Sequence, residues 1–358
     1  MHADPTSPGL AVAPRMDNER AMFARNVLGK SHHQYARNEE ETLMKTLIIG
    51  ANGYLGSNIA RELNAHGHAV SGLARSPELG MQMAASGVAP VAGTLTDLTA
   101  LAEIANAFDA IVFTPVVPFE EEAPALGVLL AALEGTNKLF LFTSGTGVLS
   151  IPAREGQWVQ ESFSEDDPYV ARHWLSMRVE TENLVRAAAT RGVRAIVMRP
   201  PQIWGHGGSK QIPAIFESVE KTGAACYVGA GLNLYTHVHV DDLARQYRLA
   251  IEKGVAGALY HAVAGEVNWR TLAEAVAEVM GCDTRSVSYE QGCEIWGEMY
   301  CDLFFGVSSR SRAVRARVDL GWVPTQFDIV EDIRNGSYRK AYRPCTKTPT
   351  KPSTNGLS

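Results

Sequence analysis

A glycine-rich turn between an apolar segment and an amphipathic segment constrains this chain more than any other feature. The apolar run over residues 44–49 leads directly into Gly50-Ala51-Asn52-Gly53-Tyr54-Leu55-Gly56, and residues 57–66 follow with apolar side chains at helical spacing. We expect a strand, a tight turn and a helix that Gly67 ends. A second strand is predicted over residues 68–73.

Glycine is needed in such a turn for steric reasons. A side chain on Gly50 or Gly53 would keep a pyrophosphate away from the backbone N–H groups, and Gly56 lets the helix pack closely on the strand. The helix N-terminus adds partial positive charge next to the phosphates. Because the glycines lie inside a complete strand–turn–helix–strand unit, they predict a dinucleotide site rather than a vestigial turn. The predicted binding residues of this loop are Gly50, Asn52, Gly53, Tyr54, Leu55 and Gly56.

The end of the second strand bears on the choice between NAD and NADP. An acidic residue there would accept hydrogen bonds from the ribose 2′-hydroxyl of NAD, but this strand ends in Leu73-Ala74-Arg75-Ser76. Arg75 can neutralise a 2′-phosphate and Ser76 can donate a hydrogen bond to it. We therefore predict NADP as the cofactor, the alternative being that Arg75 only solvates the strand end.

Strands and helices alternate along the following 130 residues. Strands are predicted over residues 88–92, 110–113, 138–143 and 193–198, and helices over 98–107, 123–133 and 178–191. This alternation is typical of an α/β fold with a Rossmann-type, doubly wound parallel sheet. Ligands of such sheets lie beyond the carboxyl ends of the strands. The residues expected at that edge are Gly50, Arg75, Thr94, Thr114, Ser144 and Pro200.

Composition excludes several classes of protein. Hydrophobic residues make up 46% and charged residues 20% of the 358 residues, as in a soluble globular protein. The net charge of −6 argues against a nucleic-acid partner, and no apolar run reaches the roughly 18 residues of a membrane span. The five cysteines form no C-x-x-C pair, so we expect reduced thiols in a cytoplasmic protein and no metal site.

Both ends of the chain have the composition of loose segments. Residues 1–43 contain three prolines and a run of charged side chains without an apolar core of secretory type, so we predict a disordered extension and no signal peptide. Residues 341–358 are rich in Thr, Lys, Pro and Ser, which predicts a flexible tail.

Four motifs support a family resemblance. Beside the glycine loop, the chain has Arg199-Pro200-Pro201-Gln202-Ile203-Trp204-Gly205, His237-Val238-His239-Val240-Asp241-Asp242-Leu243-Ala244, and a closing segment with Ala316, Arg317 and Leu320-Gly321-Trp322-Val323-Pro324. These resemble R-P-x-x-V-Y-G, V-H-V-D-D-L-A and A-x-x-x-L-G-W-x-P of extended short-chain dehydrogenases/reductases, in the NAD-dependent epimerase/dehydratase family.

The resemblance implies a division of the chain. A Rossmann domain would comprise residues 44–205 plus about 236–263, and a smaller, interleaved C-terminal substrate-binding region would comprise about 206–235 plus 264–340. A helix over 240–251 and a strand over 258–262 would return to the sheet. Thr94 and Leu95 match the positions that frame the adenine, although the family usually has Asp where Thr94 stands.

The resemblance also shows an altered catalytic site. Family members use a Ser or Thr together with a Tyr and a Lys four residues apart, and Trp174 and Arg178 match the Tyr and Lys positions. Trp has only an N–H donor and Arg does not deprotonate, although Arg178 can still bind the cofactor ribose. The nearest hydroxyls at the Ser position are Ser144 and Thr146. His173 is either an acid/base or an exposed histidine at a helix start.

Three functions remain open from the sequence, with Ser144, His173, Trp174 and Arg178 as the candidate catalytic residues. The first is an NADP-dependent oxidoreductase that acts on a small carbonyl or hydroxyl compound. The second is a non-redox isomerase, dehydratase or cyclase on the same fold, and the third is a non-catalytic NADP-binding regulator. The resemblance further implies a possible homodimer formed by the helices over residues 123–133 and 178–191.

Overall fold

The computed structural model of the protein describes residues 43–342. The predicted disordered extension (residues 1–43) therefore lies outside the described residues, apart from residue 43. The predicted flexible tail (residues 341–358) also lies outside them, apart from Ala341, which ends a short helix, and Tyr342, which caps it.

The described elements follow one another in a regular order. The first half contains β1 (Lys45–Ile49), α1 (Tyr54–Ala65), β2 (Ala69–Ala74), α2 (Pro77–Ala85), β3 (Ala89–Ala92), α3 (Leu98–Asn106), β4 (Ala110–Phe113), α4 (Phe119–Leu133), β5 (Leu139–Thr143), β6 (Ile151–Pro152), α5 (Ser176–Ala187), β7 (Arg194–Arg199) and β8 (Gln202–Trp204). The second half contains α6 (Gln211–Thr222), β9 (Ala225–Val228), β10 (Leu234–His239), α7 (Val240–Lys253), β11 (Leu259–His261), β12 (Gly265–Asn268), α8 (Trp269–Met280), β13 (Thr284–Val287), α9 (Tyr289–Trp296), α10 (Glu298–Tyr300), a π-helical turn (Cys301–Phe305), β14 (Val307–Ser308), α11 (Val314–Leu320), α12 (Ile329–Asn335) and α13 (Ser337–Ala341).

Seven strands form the central sheet in the order β3-β2-β1-β4-β5-β7-β11, and every neighbouring pair is parallel. The predicted Rossmann-type, doubly wound sheet is therefore confirmed. The strand order reverses between β1 and β4, which is the point where such sheets bind their ligands. Gly50 follows β1 and Thr114 follows β4, so both lie at this point.

Helix starts differ from the sequence-based expectation. Helix α1 begins at Tyr54 rather than at residue 57, and α4 begins at Phe119 rather than at residue 123. The predicted helix over residues 178–191 is α5 from Ser176, followed by a 3-10 turn over Ala188–Arg191. Apolar periodicity identifies the buried face of a helix and does not fix the residue at which the helix begins.

Helices cover both faces of the central sheet. Helices α1, α7 and α11 pack on one face around buried side chains such as Leu63, Tyr247 and Leu320. Helices α3, α4 and α5 pack on the other face, with Leu101 and Val185 among the buried side chains. No helix of residues 43–342 is long and apolar enough to cross a membrane.

The smaller sheets lie outside this central layer. Strands β12, β10 and β8 form a three-stranded sheet, and the pairs β13–β9 and β14–β6 form two-stranded sheets. A third hydrophobic core packs residues between Trp204 and Tyr338, among them Trp269 and Phe305. Because β10 pairs with both β8 and β12, one sheet joins the two segments that the sequence assigned to separate domains. The domain boundaries stay a prediction.

Candidate functional site

Two glycines of the turn after β1 are required by close contacts. Gly50 has a φ of +92°, and a Cβ atom on it would lie 2.6 Å from Thr114 Oγ1. A Cβ atom on Gly56 would lie 2.1 Å from the carbonyl oxygen of Gly50. Neither position can hold a larger residue without moving backbone, so the loop and the first turn of α1 are packed as closely as a bound pyrophosphate needs.

The start of α1 leaves its N–H groups available. Gly53 is the N-cap residue, its own N–H donates to the Gly50 carbonyl at 2.9 Å, and no side chain caps the helix. The first turn also contains no carboxylate that would compete for the N–H groups. These uncapped donors and the positive end of the helix dipole fit the pyrophosphate of a dinucleotide.

At the end of β2, only one of the two predicted phosphate contacts is free. Ser76 caps α2 by accepting a hydrogen bond from the Leu79 N–H at 3.3 Å. The backbone N–H of Glu78 and the Ser76 hydroxyl both donate to the Glu78 carboxylate, which lowers its pKa. Arg75 is exposed and bonds to no other side chain within residues 43–342, so its guanidinium is the group that can meet a 2′-phosphate.

The next positions along the sheet edge shape the turns that carry them. Thr94 Oγ1 accepts a hydrogen bond from the Asp97 N–H at 3.2 Å and so closes the turn before α3, while Leu95 packs against the core. The Thr114 hydroxyl donates to the Ile49 carbonyl at 2.9 Å and ties β4 to β1. These predicted cofactor residues lie at the expected edge, and their contacts to a nucleotide stay a prediction.

The loops after β5 and β7 lie against each other. Ser144 N–H donates to the Met198 carbonyl at 2.8 Å, and Thr146 N–H donates to the Pro200 carbonyl at 3.0 Å. The Ser144 hydroxyl is buried and has no hydrogen-bond partner in the described part of the chain. Because a buried hydroxyl without a partner is costly, Ser144 is ready to bond a ligand at this edge.

Thr146, the other candidate hydroxyl, is surrounded by partners. Its side chain is buried, and the Ser309 hydroxyl lies 3.4 Å from its Oγ1 while donating to its carbonyl at 2.9 Å. Tyr235 lies beside them, and burial raises its pKa to about 12 although Ser309 and Thr146 hydrogen-bond to it. Ser144 is therefore the freer of the two hydroxyls at the family's Ser position.

Gln202 is a further candidate residue that the sequence did not indicate. Its side chain is fully buried, and neither its amide nitrogen nor its amide oxygen has a partner among residues 43–342. It follows Pro200 by two residues and begins β8, so it lies close to the same sheet edge. Its only sequence signal was its place in the motif that begins with Arg199. The motif leaves this position variable, so the burial of the Gln202 amide could not be deduced from it.

The segment before α5 holds the altered catalytic positions. Trp174 lies in a 3-10 turn over His173–Leu175 and is 40% exposed. The Arg172 guanidinium lies 5.1 Å from the centre of the Trp174 ring and bonds to Asp302 at 2.9 Å. Trp174 thus packs against an arginine that is already paired. Of Trp174 and Arg178, only Arg178 lies within helix α5.

Arg178 is engaged in an ion pair that the sequence did not suggest. Its Nη1 atom lies 2.7 Å and 2.9 Å from the two carboxylate oxygens of Glu122 on α4. Glu122 is almost fully buried, and burial raises the pKa of its carboxyl group while the Arg178 charge opposes that rise. The guanidinium therefore compensates a buried carboxylate, and ribose binding by Arg178 stays a prediction.

The remaining candidates near this segment separate into free and bound groups. The His173 side chain is exposed and has no hydrogen-bond partner in the described chain, while its carbonyl accepts from Ser176 Oγ at 2.7 Å. The Tyr169 hydroxyl accepts a hydrogen bond from Arg199 at 2.6 Å, and Arg199 forms a buried ion pair with Glu182. Tyr169 is thus held by a structural pair, whereas the His173 side chain has no partner among the described residues.

A cluster of potential metal ligands lies beside the glycine loop. His206, His239 and Asp241 bring one ligand atom each to within 4.8 Å of one another. The Arg61 guanidinium bonds to Asp241 at 2.5 Å and lies 3.3 Å from His206 Nε2. Arginine therefore supplies the positive charge next to this carboxylate, and the sequence-based expectation of no metal stays a prediction.

Comparisons with known proteins now bear on this arrangement. The model of the NAD dependent epimerase/dehydratase family matches residues 46–264, the stretch from β1 to β11 that carries the glycine loop and the whole sheet edge. The protein belongs to the NAD-dependent epimerase/dehydratase family. As a member, it is an NAD(P)-dependent enzyme of the epimerase/dehydratase type.

Curated relatives are similar to this family member over much of its length. An uncharacterized protein of Schizosaccharomyces pombe is 30% identical over 305 residues, covering 82% of this chain and 100% of its own length. A ketoreductase of Stigmatella aurantiaca that is named for a farnesyl-dihydroquinoline-oxide substrate is 29% identical over 252 residues, covering 66% of this chain and 74% of its own.

Solved structures show the same fold. The dTDP-glucose 4,6-dehydratase DesIV of Streptomyces venezuelae, solved with NAD bound, superposes with a TM-score of 0.66 at 20% identity and covers 83% of this chain and 97% of its own. A dTDP-glucose 4,6-dehydratase of Bacillus anthracis in complex with NAD gives the same TM-score at 15% identity, over 83% of this chain and 96% of its own. Such identities show the shared fold and not a shared substrate.

Proposed function

We propose that this family member is an NADP-dependent oxidoreductase that interconverts a small carbonyl compound and the corresponding alcohol. The observation that carries the proposal is the Ser144 hydroxyl, which is buried and lacks a partner among the described residues. Ser144 lies at the carboxyl edge of the sheet, where its N–H donates to the Met198 carbonyl. A carbonyl or hydroxyl oxygen is the complementary group for such a hydroxyl.

The preference for NADP is supported by the end of β2. Arg75 is exposed and unpaired within the described chain, and the carboxylate nearest in sequence, Glu78, is occupied by Ser76 and by its own N–H. An unpaired guanidinium binds a negatively charged 2′-phosphate strongly. The 2′-hydroxyl of NAD is uncharged and cannot form an ion pair with the guanidinium.

The residues of the chain have separate tasks in this reaction. The glycine loop over residues 50–56 would hold a reduced dinucleotide, which would supply the hydride that the carbonyl carbon accepts. Ser144 donates a hydrogen bond to the carbonyl oxygen and orients it, and water supplies the proton that completes the alcohol. Trp174 packs against Arg172 and takes no part in proton transfer because its N–H group does not ionise near neutral pH.

The names of two relatives support a carbonyl substrate. The Stigmatella aurantiaca relative is named a ketoreductase, and a relative from Stenotrophomonas maltophilia with 26% identity is named 2-alkyl-3-oxoalkanoate reductase. Both names describe the reduction of a ketone. The non-redox isomerase or dehydratase and the non-catalytic regulator lack a comparable observation in their favour.

A panel of small ketones tests the proposal through the oxidation of NADPH. We expect Ser144→Ala to lower kcat by roughly 100-fold, the usual effect of removing one hydrogen bond at the reacting oxygen. Ser150→Ala is the matched control, because Ser150 is also a buried serine whose hydroxyl lacks a partner in the described chain, and it should leave kcat unchanged. Turnover without net change in NADPH, or equal activity of both variants, would contradict the proposal.

We also propose that the protein forms a homodimer through α4 and α5. Helix α5 exposes Met177 and Leu184, which are 50% and 44% accessible. The outer face of α4 exposes the small residues Ala123, Gly127 and Ala131. An apolar ridge opposite a surface of small residues fits close helix packing. A cytoplasmic location and the lack of a nucleic-acid partner stay predictions that rest on the sequence.

A further inference from the structure

The loop after β8 connects the dinucleotide loop with the C-terminal helix of the described chain. The connection runs through Gly205, whose carbonyl accepts a hydrogen bond from the Tyr54 hydroxyl at 2.8 Å. The N–H of the same residue donates to the Tyr338 hydroxyl at 3.1 Å. Tyr54 is the first residue of α1 and Tyr338 lies in α13, so one glycine is bonded to both helices.

Helix α13 holds this loop by further bonds. The Tyr338 hydroxyl also donates to the Gly208 carbonyl at 2.7 Å, and its ring is fully buried. Ser337 Oγ accepts a hydrogen bond from the Gly207 N–H at 2.7 Å and donates to Asp332 at 2.6 Å. Residues 205–208 are therefore fixed at three points by two consecutive side chains of one short helix.

The loop cannot hold its conformation without such partners. Gly205, His206, Gly207 and Ser209 all have positive φ angles, of +114°, +52°, +66° and +93°. Two of these residues, His206 and Ser209, are not glycine. A residue other than glycine is strained at positive φ, so the surrounding hydrogen bonds must maintain the conformation.

The loop over residues 205–208 also packs directly against Tyr54, the first residue of α1. A Cβ atom on Gly208 would lie 2.5 Å from the Tyr54 ring, so the loop backbone packs against that side chain. Since Tyr54 begins α1, its ring position fixes the first turn whose N–H groups face the pyrophosphate. A shift of residues 205–208 therefore moves the turn that binds phosphate.

We propose that Tyr338 is a positioning residue for nucleotide binding, and that docking of α13 and occupation of the dinucleotide loop strengthen each other. The inference rests on the proposed function only in that a dinucleotide binds at residues 50–56. Burial raises the pKa of both Tyr54 and Tyr338, so both hydroxyls remain protonated donors across the physiological range. Linkage requires that the coupling act in both directions.

The decisive variant is Tyr338→Phe, with Tyr260→Phe as its matched control. Tyr260 is also fully buried, and its hydroxyl likewise accepts from a backbone N–H, that of Val255 at 3.1 Å, and donates to an oxygen, that of Asp319 at 3.2 Å. We expect Tyr338→Phe to raise the dissociation constant of NADPH about tenfold, the effect of losing one to two buried hydrogen bonds. Tyr260→Phe should lower the melting temperature to a similar degree and leave the dissociation constant within about twofold.

Amide hydrogen exchange gives a readout that a merely structural tyrosine would not change. In the natural protein, NADPH should slow the exchange of residues 337–342, and this protection should be lost in Tyr338→Phe. Tyr54→Phe breaks the same connection at its other end and should also abolish the protection, which keeps the test valid if Tyr338→Phe does not fold.

The possible outcomes separate the two proposals. If the natural protein binds no dinucleotide, the proposed function fails and this inference fails with it. If the natural protein binds NADPH but Tyr338→Phe binds it equally well, or NADPH leaves the exchange of residues 337–342 unchanged, only the coupling is overturned.

Discussion

At the residue scale, we expect the preference of the protein for NADP over NAD to depend on the side chain of Arg75. We expect Arg75→Ala to weaken NADP binding by roughly 10- to 100-fold, because one or two charge-assisted hydrogen bonds to the 2′-phosphate are lost. NAD has no 2′-phosphate, so its affinity should change little. Calorimetric titration of the variant with both nucleotides measures the difference.

The control for this change is a second exposed arginine. Arg317→Ala on α11 removes a surface charge of the same sign away from β2, and it should alter neither affinity beyond the small effect of a screened charge. Equal losses for NADP and NAD in Arg75→Ala would show that Arg75 does not read the 2′-position.

The pair of Arg178 and Glu122 gives a prediction about stability and pH. The pKa of Glu122 is raised in the folded protein, so folding favours the protonated form and stability falls as pH rises from the unfolded pKa through the folded one. Arg178→Met removes the opposing charge and raises that pKa further. We expect the free energy of unfolding to fall by about 3 kcal/mol at about pH 8, and by a smaller amount at about pH 5.

The double variant Glu122→Gln with Arg178→Met separates structure from cofactor binding. It has no charge at either of these two positions, so its unfolding free energy should depend less on pH than that of Arg178→Met in denaturant titrations. If Arg178→Met weakens nucleotide binding and the double variant restores both the affinity and the stability, Arg178 acts through Glu122. If affinity stays low in the stable double variant, Arg178 contacts the cofactor ribose as the resemblance implies.

At the scale of single elements, α1 depends on its closest contact. Gly56→Ala would place a methyl group 2.1 Å from the Gly50 carbonyl, so the helix must move away from β1. We expect loss of nucleotide binding and a lower melting temperature.

Gly80→Ala in α2 is the control, since its Cβ would lie 3.4 Å and 3.8 Å from neighbouring carbons at ordinary contact distance. It should raise the unfolding free energy by about 0.5–1 kcal/mol in chemical denaturation. An unchanged affinity in Gly56→Ala would contradict the cofactor-loop assignment.

Elements with a buried apolar face could be predicted from the sequence, whereas contacts between distant segments could not. The strand over residues 110–113 was predicted with the bounds of β4, because a continuous apolar run is a local property. The contact of Arg178 with Glu122 spans 56 residues and depends on how α4 and α5 pack. The unpartnered amide of Gln202 likewise follows from burial by the surrounding fold, which no local pattern encodes.

At the scale of the whole molecule, strand order explains how remote residues form one edge. Parallel pairing of β1 with β4 brings Gly50 next to Thr114, and parallel pairing of β5 with β7 brings Ser144 next to Met198. The alternating pattern predicted the parallel sheet, and with it this edge. The three-stranded sheet of β8, β10 and β12 was not predicted, because these strands mix polar with apolar residues and contain no continuous apolar run.

Assembly of two chains gives the last prediction. If α4 and α5 pair across a dimer interface, Leu184→Asp buries an unpaired carboxylate there and should convert the dimer to a monomer of 38.8 kDa in sedimentation equilibrium. Val318→Asp on α11 is the control, since Val318 is a 76% exposed apolar residue outside these helices and its change should leave the mass unaltered. A monomeric natural protein, or a Leu184→Asp variant that still has twice the chain mass, would exclude this interface. Because Leu184 is exposed in the single chain, the variant should keep its fold and its nucleotide affinity, which separates loss of pairing from loss of structure.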